Sequence, residues 1–174
     1  MSLARLVKNV YLVAGKEFGD RGNAYLVKTS KANFLIDTGG EPQPVSIMRN
    51  LLTLTDNKNE LIYLFLTSCI SDASAGASFL SASMNVKIII HEDDASQLRK
   101  GYCMGLEYPP SSPYMVIRKG KMIFEGFEIF KASSPTKGSI VIKFDDFLFS
   151  GATELTPLDS NVKYVFGLYR IKRC

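Results

Sequence analysis

This chain has one histidine, three cysteines and seventeen acidic residues with which to hold a metal or activate a nucleophile. Hydrolytic zinc sites lean on imidazole, which is neutral near pH 7 and still a good nitrogen donor. With His91 alone the chain cannot build a three-His or His-pair site; carboxylates and thiolates would have to converge in its place. His91 ends an apolar run beside Glu92, Asp93 and Asp94 and reads as a structural or surface group, with an adventitious metal on Asp93 and Asp94 as the other reading. Cys69 precedes a helix start, a position that lowers a thiol pKa. No second histidine is available as its base, so a buried, inert cysteine is the expectation. Residues 132–139 (ASSPTKGS) gather hydroxyls, Lys137 and Gly138 in one loop that could hold an anion on backbone N–H groups. The loop lacks the G-x-x-x-x-G-K-[ST] spacing of a phosphate loop, and a solvent-exposed turn is expected.

The elements that must position these groups come from a chain of 174 residues, 46% hydrophobic and 22% charged, the balance of one globular domain spanning 1–174. No apolar run reaches the roughly 20 residues of a membrane helix. The stretch from Met1 to Lys8 has no apolar core and no cleavage site, so no signal peptide is expected; Met1-Ser2-Leu3 reads equally as native or as an added remnant. Cys69, Cys103 and Cys174 make an odd count without metal-type spacing. That argues against a disulfide framework and for a reducing cytoplasm. The net charge of +4 is mild and scattered apart from Arg170, Lys172 and Arg173, so nucleic-acid binding is not expected.

Short strands are predicted at 9–14, 24–28 and 33–37, separated by polar turns, as an antiparallel meander. Thr38-Gly39-Gly40 ends it. Helical spacing follows at 44–54, with proline at its start, and a buried strand at 61–66. Residues 72–83, rich in alanine and serine, predict a helix packed closely on the sheet, with Asp72 near its start. A buried strand at 86–90 leads to a short helix at 93–100, acidic at its first turn and basic at its last, in accord with the helix dipole. Residues 101–113 read as an irregular loop. Strands are predicted at 114–118, 121–131, 140–144, 147–149 and 162–169. Strands, then β–α–β alternation, then strands again describe a layered α/β protein with mixed sheets.

Four segments, in this order, resemble the metallo-β-lactamase superfamily. Asn23-Ala-Tyr-Leu-Val with Asn33-Phe-Leu-Ile-Asp37-Thr38-Gly39 is similar to its early strand pair, N-x-Y-L-V … L-I-D-T-G. Residues 64–76, Leu64 to Gly76, resemble its L-T-H-x-H-x-D-H-x-x-G strand-to-helix loop. Residues 86–94 resemble the strand and short helix that follow. Thr136 to Val141 and Phe147 to Thr153 resemble H-T-P-G-S … L-F-x-G-D-T. The resemblance implies an αββα sandwich, shortened at the C-terminal end. There Asp37 orders the loops beneath the site.

Carried over residue by residue, the family's metal positions fall on Ser68, Ile70, Asp72, Ala73, Pro135 and Ala152, and only Asp72 keeps the family's residue. Isoleucine, alanine and proline side chains offer a metal nothing, and a serine hydroxyl is a poor zinc ligand. Without zinc, no bound water is brought to a pKa of about 7, and the mechanism has no attacking group. Asp72 is then expected as a helix-start residue accepting backbone N–H bonds. The expectation is a non-catalytic binding or assembly protein without cofactor or metal, forming a homodimer, with no membrane role. The alternative is a hydrolase with a relocated site drawn from Cys69, Asp72, His91 and Lys137 around the old cleft, with Asp37 as a further ligand-pocket candidate.

Overall fold

The computed structural model describes residues 4–57, 59–154 and 161–174; Met1-Ser2-Leu3 lies outside them. The predicted meander is present and gains a strand at its outer edge. β1 (Ala4–Val7), β2 (Val10–Ala14), β3 (Ala24–Lys28) and β4 (Asn33–Ile36) pair antiparallel in sequence. β5 (Ile62–Phe65) and β6 (Val86–His91) then add in parallel to β4. Parallel neighbours need crossovers, and helices supply them. These are α1 (Val45–Leu54), the short α2 (Ser71–Ser74) with α3 (Ala77–Ser83), and α4 (Glu92–Lys100). Hairpin β7–β8 (Tyr102–Cys103 and Leu106–Glu107) stands apart from both large sheets, and β9 (Met115–Ile117) closes the first sheet beside β6.

Neighbouring side chains on a strand face opposite ways, so each apolar run serves two cores. In β4, Leu35 joins Leu64, Ile88, Ile47, Leu51, Leu80 and Leu98 in the core beneath the helices. Phe34 and Ile36 point the other way, into a core shared with Phe127, Ile129, Ile142, Phe149 and Phe166 of the second sheet. Aromatic contacts fill this layer, with ring centroids 4.4 Å apart for Phe34 and Phe127 and 4.3 Å apart for Phe127 and Phe144. Burial on both faces is why the β5 and β6 sequences show no alternation.

The second sheet runs β10 (Lys121–Phe124), β11 (Phe127–Lys131), β12 (Ile140–Phe144), β13 (Phe147–Gly151), β14 (Tyr164–Gly167) and β15 (Ile171–Arg173). Its outer face carries Ile123, Phe130, Leu148 and Val165 and has no helix against it among the described residues. Three predicted elements are redrawn. The single strand expected at 121–131 is a hairpin, turned at Glu125 and Gly126, which have φ of 50° and 86°. The last predicted strand holds only 164–167 and turns back into β15. The helix expected at 72–83 breaks at Gly76, whose N–H donates to Thr38 Oγ1 at 3.0 Å. A Cβ at residue 76 would lie 2.8 Å from Pro44, so that close approach needs glycine. No described helix is long and apolar enough to cross a membrane.

The cysteine reading needs correction. Cys69 and Cys103 form a disulfide, with Cα atoms 5.9 Å apart, and only Cys174 is free. An odd count excludes complete pairing, not one bridge between residues that the fold brings together. The case for a reducing compartment rested on unpaired cysteines and loses that support. The bridge closes a loop of 34 residues, for which the chain-entropy model gives about 4 kcal/mol. We therefore expect peptide mapping under non-reducing conditions to recover the 69–103 bridge. Reduction, or Cys103→Ala, should lower the unfolding free energy in denaturant by roughly that amount.

Candidate functional site

A cleft of about 340 Å³ opens where the loop after β5 meets hairpin β7–β8, the 132–139 loop and the ends of β13 and β14. Ile70, Asp72, Pro135 and Ala152, four of the six positions singled out in the sequence, line it together. Ser71, the hairpin residues Met104 and Leu106, and Tyr169 line the rest of it. The other two positions are buried outside it. The Ser68 carbonyl accepts the Ser74 hydroxyl at 2.6 Å, and the Ala73 carbonyl accepts Thr38 N–H at 2.8 Å.

Contrary to expectation, Asp72 does not cap its helix; the N-cap is Ile70 and no side chain caps α2. Its carboxylate instead accepts the Tyr169 hydroxyl at 2.8 Å, and Arg21 Nε lies 3.9 Å away. Loss of solvent, with the carboxylate alongside, pushes the Tyr169 phenol up to about 12. The one charged group on the cleft wall among the described residues is thus engaged by a phenol and a guanidinium of the same chain.

Beneath the wall sits a carboxylate with three donors, the best served among the described residues. Asp94, in the first turn of α4, is buried. It accepts Cys69 N–H at 2.8 Å, Gly138 N–H at 2.8 Å and the Thr136 hydroxyl at 2.5 Å. It ties two cleft loops to one helix. In the 132–139 loop Thr136, Gly138 and Ser139 are buried, and the anion held on its backbone is the chain's own aspartate. Ser133, Ser134, Pro135 and Lys137 are exposed, in keeping with the expected turn.

The remaining candidates lie apart. Asp37, buried, accepts Thr67 N–H at 2.7 Å and the Thr67 hydroxyl at 2.6 Å, holding β4 to the start of the metal-type loop. This is the loop-ordering role expected of it. Burial pushes its carboxyl up to about 7 from an ordinary value of 3.8, against the pull of both Thr67 bonds. His91 is buried at the N-cap of α4, where Nδ1 accepts Asp93 N–H at 3.1 Å. That fixes it as a structural group, while Asp93 pairs with Lys131. Cys69 is no thiol, being half of the disulfide. Among the described residues, no three His, Cys, Asp or Glu side chains gather to hold a metal ion.

Solved structures share this architecture. A metallo-β-lactamase from Cronobacter sakazakii superposes with a TM-score of 0.76, covering 97% of this chain and 80% of that one at 17% identity. The chain has the metallo-β-lactamase fold. A subclass B3 metallo-β-lactamase of Bradyrhizobium japonicum gives a TM-score of 0.72 at 16% identity, over 97% of this chain and 77% of that one. A B3 metallo-β-lactamase with an active-site glutamic acid gives 0.75 at 15% identity, over 100% and 83%. No protein-family model matches the chain, and no curated protein does. At these identities the likeness is one of metallo-β-lactamase fold.

Sequence reasoning missed Asp94, Thr136, Arg21, Tyr169, Met104 and Leu106. Asp94 was read as a dipole partner of α4, since spacing alone does not show that its carboxylate turns inward. Tyr169 and Met104 lie 97 and 32 residues from Asp72, beyond any local pattern.

We expect Asp94→Asn to cost about 3 kcal/mol in denaturant unfolding, because an amide cannot accept all three bonds. Gly138→Ala should be similarly harmful, since its Cβ would sit 2.6 Å from Asp94 atoms. Asp37 makes a pH prediction. Its folded pKa, about 7, exceeds the unfolded 3.8, so the folded state binds the extra proton, and stability falls as pH rises from 4 to 7. Asp37→Asn should remove that slope, on the order of 4 kcal/mol across the window.

Proposed function

We propose that this chain is a non-catalytic, metal-independent binding or assembly protein on the metallo-β-lactamase fold. The observation that carries the reading is the donor chemistry of the cleft. Zinc is held by thiolate, imidazole or carboxylate groups, three or four at a time. Ile70, Pro135 and Ala152 stand on the wall and offer none of these. Ser68 and Ala73 are buried behind it. Asp72, the one carboxylate, is already bonded to Tyr169. The residues present do not fit a two-zinc centre, and no hydrolytic step is derived through one.

The replacements have a physical logic. Clustered imidazoles and carboxylates without a metal are polar groups shut away from water, each costing free energy unless bonded. Apolar and small side chains remove that cost. Arg21 and Tyr169 lower it at Asp72, the one acid retained. The hydrolase with relocated chemistry has no comparable support. Its thiol is spent in the disulfide, and the Nδ1 of its histidine is engaged by the α4 backbone.

The reading extends to a homodimer, supported by the outer face of the second sheet, against which no described helix packs and where Ile123 is 66% exposed. Burial of such apolar surface favours association. Light scattering across concentrations should give twice the chain mass, and a constant single-chain mass would remove the dimer from the proposal. For the metal-free reading, elemental analysis of untagged protein purified without added metal should find well under one zinc per chain, and added zinc should not shift thermal unfolding. Two zinc ions per chain would overturn it.

A further inference from the structure

The cleft that no longer suits a metal still has volume, walls and a fixed rim. Its exposed side chains are apolar, with Met104, Leu106 and Tyr169 66%, 54% and 62% exposed. They face Ile70, Pro135 and Ala152 across a space of about 340 Å³. Apolar side chains held open to water on a hairpin with two-residue strands gain from being covered.

We infer that the cleft binds an uncharged, apolar small molecule, such as an aromatic ring system or a short hydrocarbon chain. Three observations point to that class. First, the only charged group on the wall among the described residues, Asp72, is bonded to Tyr169 and faced by Arg21, so it does not select a cation. Second, the volume falls within the roughly 300–1,000 Å³ of small-molecule sites. A handful of wall residues is far less than the roughly 800 Å² per partner of a stable protein interface, so a free ligand fits better than a second copy.

Third, the rim is preorganised. Hairpin β7–β8 belongs to neither large sheet, yet Cys103 is bonded to Cys69, the buried residue next to Ile70 of the wall. The Tyr108 hydroxyl, just past the hairpin, donates to the Cys69 carbonyl at 2.5 Å. Cys69 N–H in turn is held by Asp94. Met104 and Leu106 are thereby set opposite Ile70 before any ligand arrives, which lowers the ordering cost of binding.

The inference rests on the metal-independent reading, and one experiment separates the two. The full metal-free chain is titrated with the uncharged fluorophore N-phenylnaphthylamine, and its metal content is measured on the same sample. Fluorescence should saturate at one probe per chain. Met104→Ser with Leu106→Ser, both at exposed positions, should weaken binding at least tenfold without changing the unfolding midpoint. Leu52→Ser, an exposed position at the far end of α1, should leave it unchanged. Absence of saturable binding, several probes per chain, or indifference to the hairpin substitutions would overturn the inference. So would conversion of a dimer to a monomer by those substitutions, since the cleft would then belong to a second copy. Zinc in the cleft would instead defeat the metal-independent reading beneath it.

Discussion

The buried carboxylate of Asp94 is the interaction on which the cleft depends. A carboxylate shut away from water is costly unless every lone pair pointing into the protein has a donor. Here α4 delivers one acid to a place where the loop after β5 gives Cys69 N–H, and the 132–139 loop gives Gly138 N–H and the Thr136 hydroxyl. The charge is the chain's own, and the loops close on it. Each loop also carries wall residues, Ile70 and Asp72 on one and Pro135 on the other, so the same bonds that satisfy Asp94 fix the cleft's shape. The disulfide extends the hold to the hairpin, since Cys69 is both donor to Asp94 and partner of Cys103.

This arrangement accounts for a fold that keeps its cleft while its metal positions diverge. In a metal centre the ion's charge holds opposing loops together, with ligands oriented by further hydrogen bonds. In this chain that work falls to Asp94 and the Cys69–Cys103 bridge beneath and beside the cleft, and to Asp37 holding Thr67 at the loop's start. The wall itself is free to become apolar. The loop-fixing groups lie behind the wall, not on it, so the fold does not depend on what the wall carries.

Much of the architecture was legible in the sequence, for identifiable reasons. The two-faced apolar runs of β4, β5 and β6, and the proline-started spacing of α1, are local and strong. The loss of donors at Ile70, Ala73, Pro135 and Ala152 is likewise a matter of residue type alone. What was not legible depends on long-range geometry. The disulfide joins residues 34 apart across a loop and a hairpin, and Asp72 finds Tyr169 at a separation of 97. The break at Gly76 comes from packing against Pro44 and Thr38, not from helix propensity. The 132–139 loop had the right composition for holding an anion, but nothing local says that the anion is Asp94.

The central claim is that the chain's own donors and cations, not a metal, satisfy the carboxylates of this cleft. Crystals grown without metal and soaked in zinc, with anomalous data collected at the zinc edge, test it most directly. The account predicts no anomalous peak in the cleft, with Tyr169 still on Asp72 and Asp94 still on Cys69, Thr136 and Gly138. A zinc peak at roughly 2.0–2.2 Å from an Asp72 oxygen, with Tyr169 and Arg21 displaced, would contradict it.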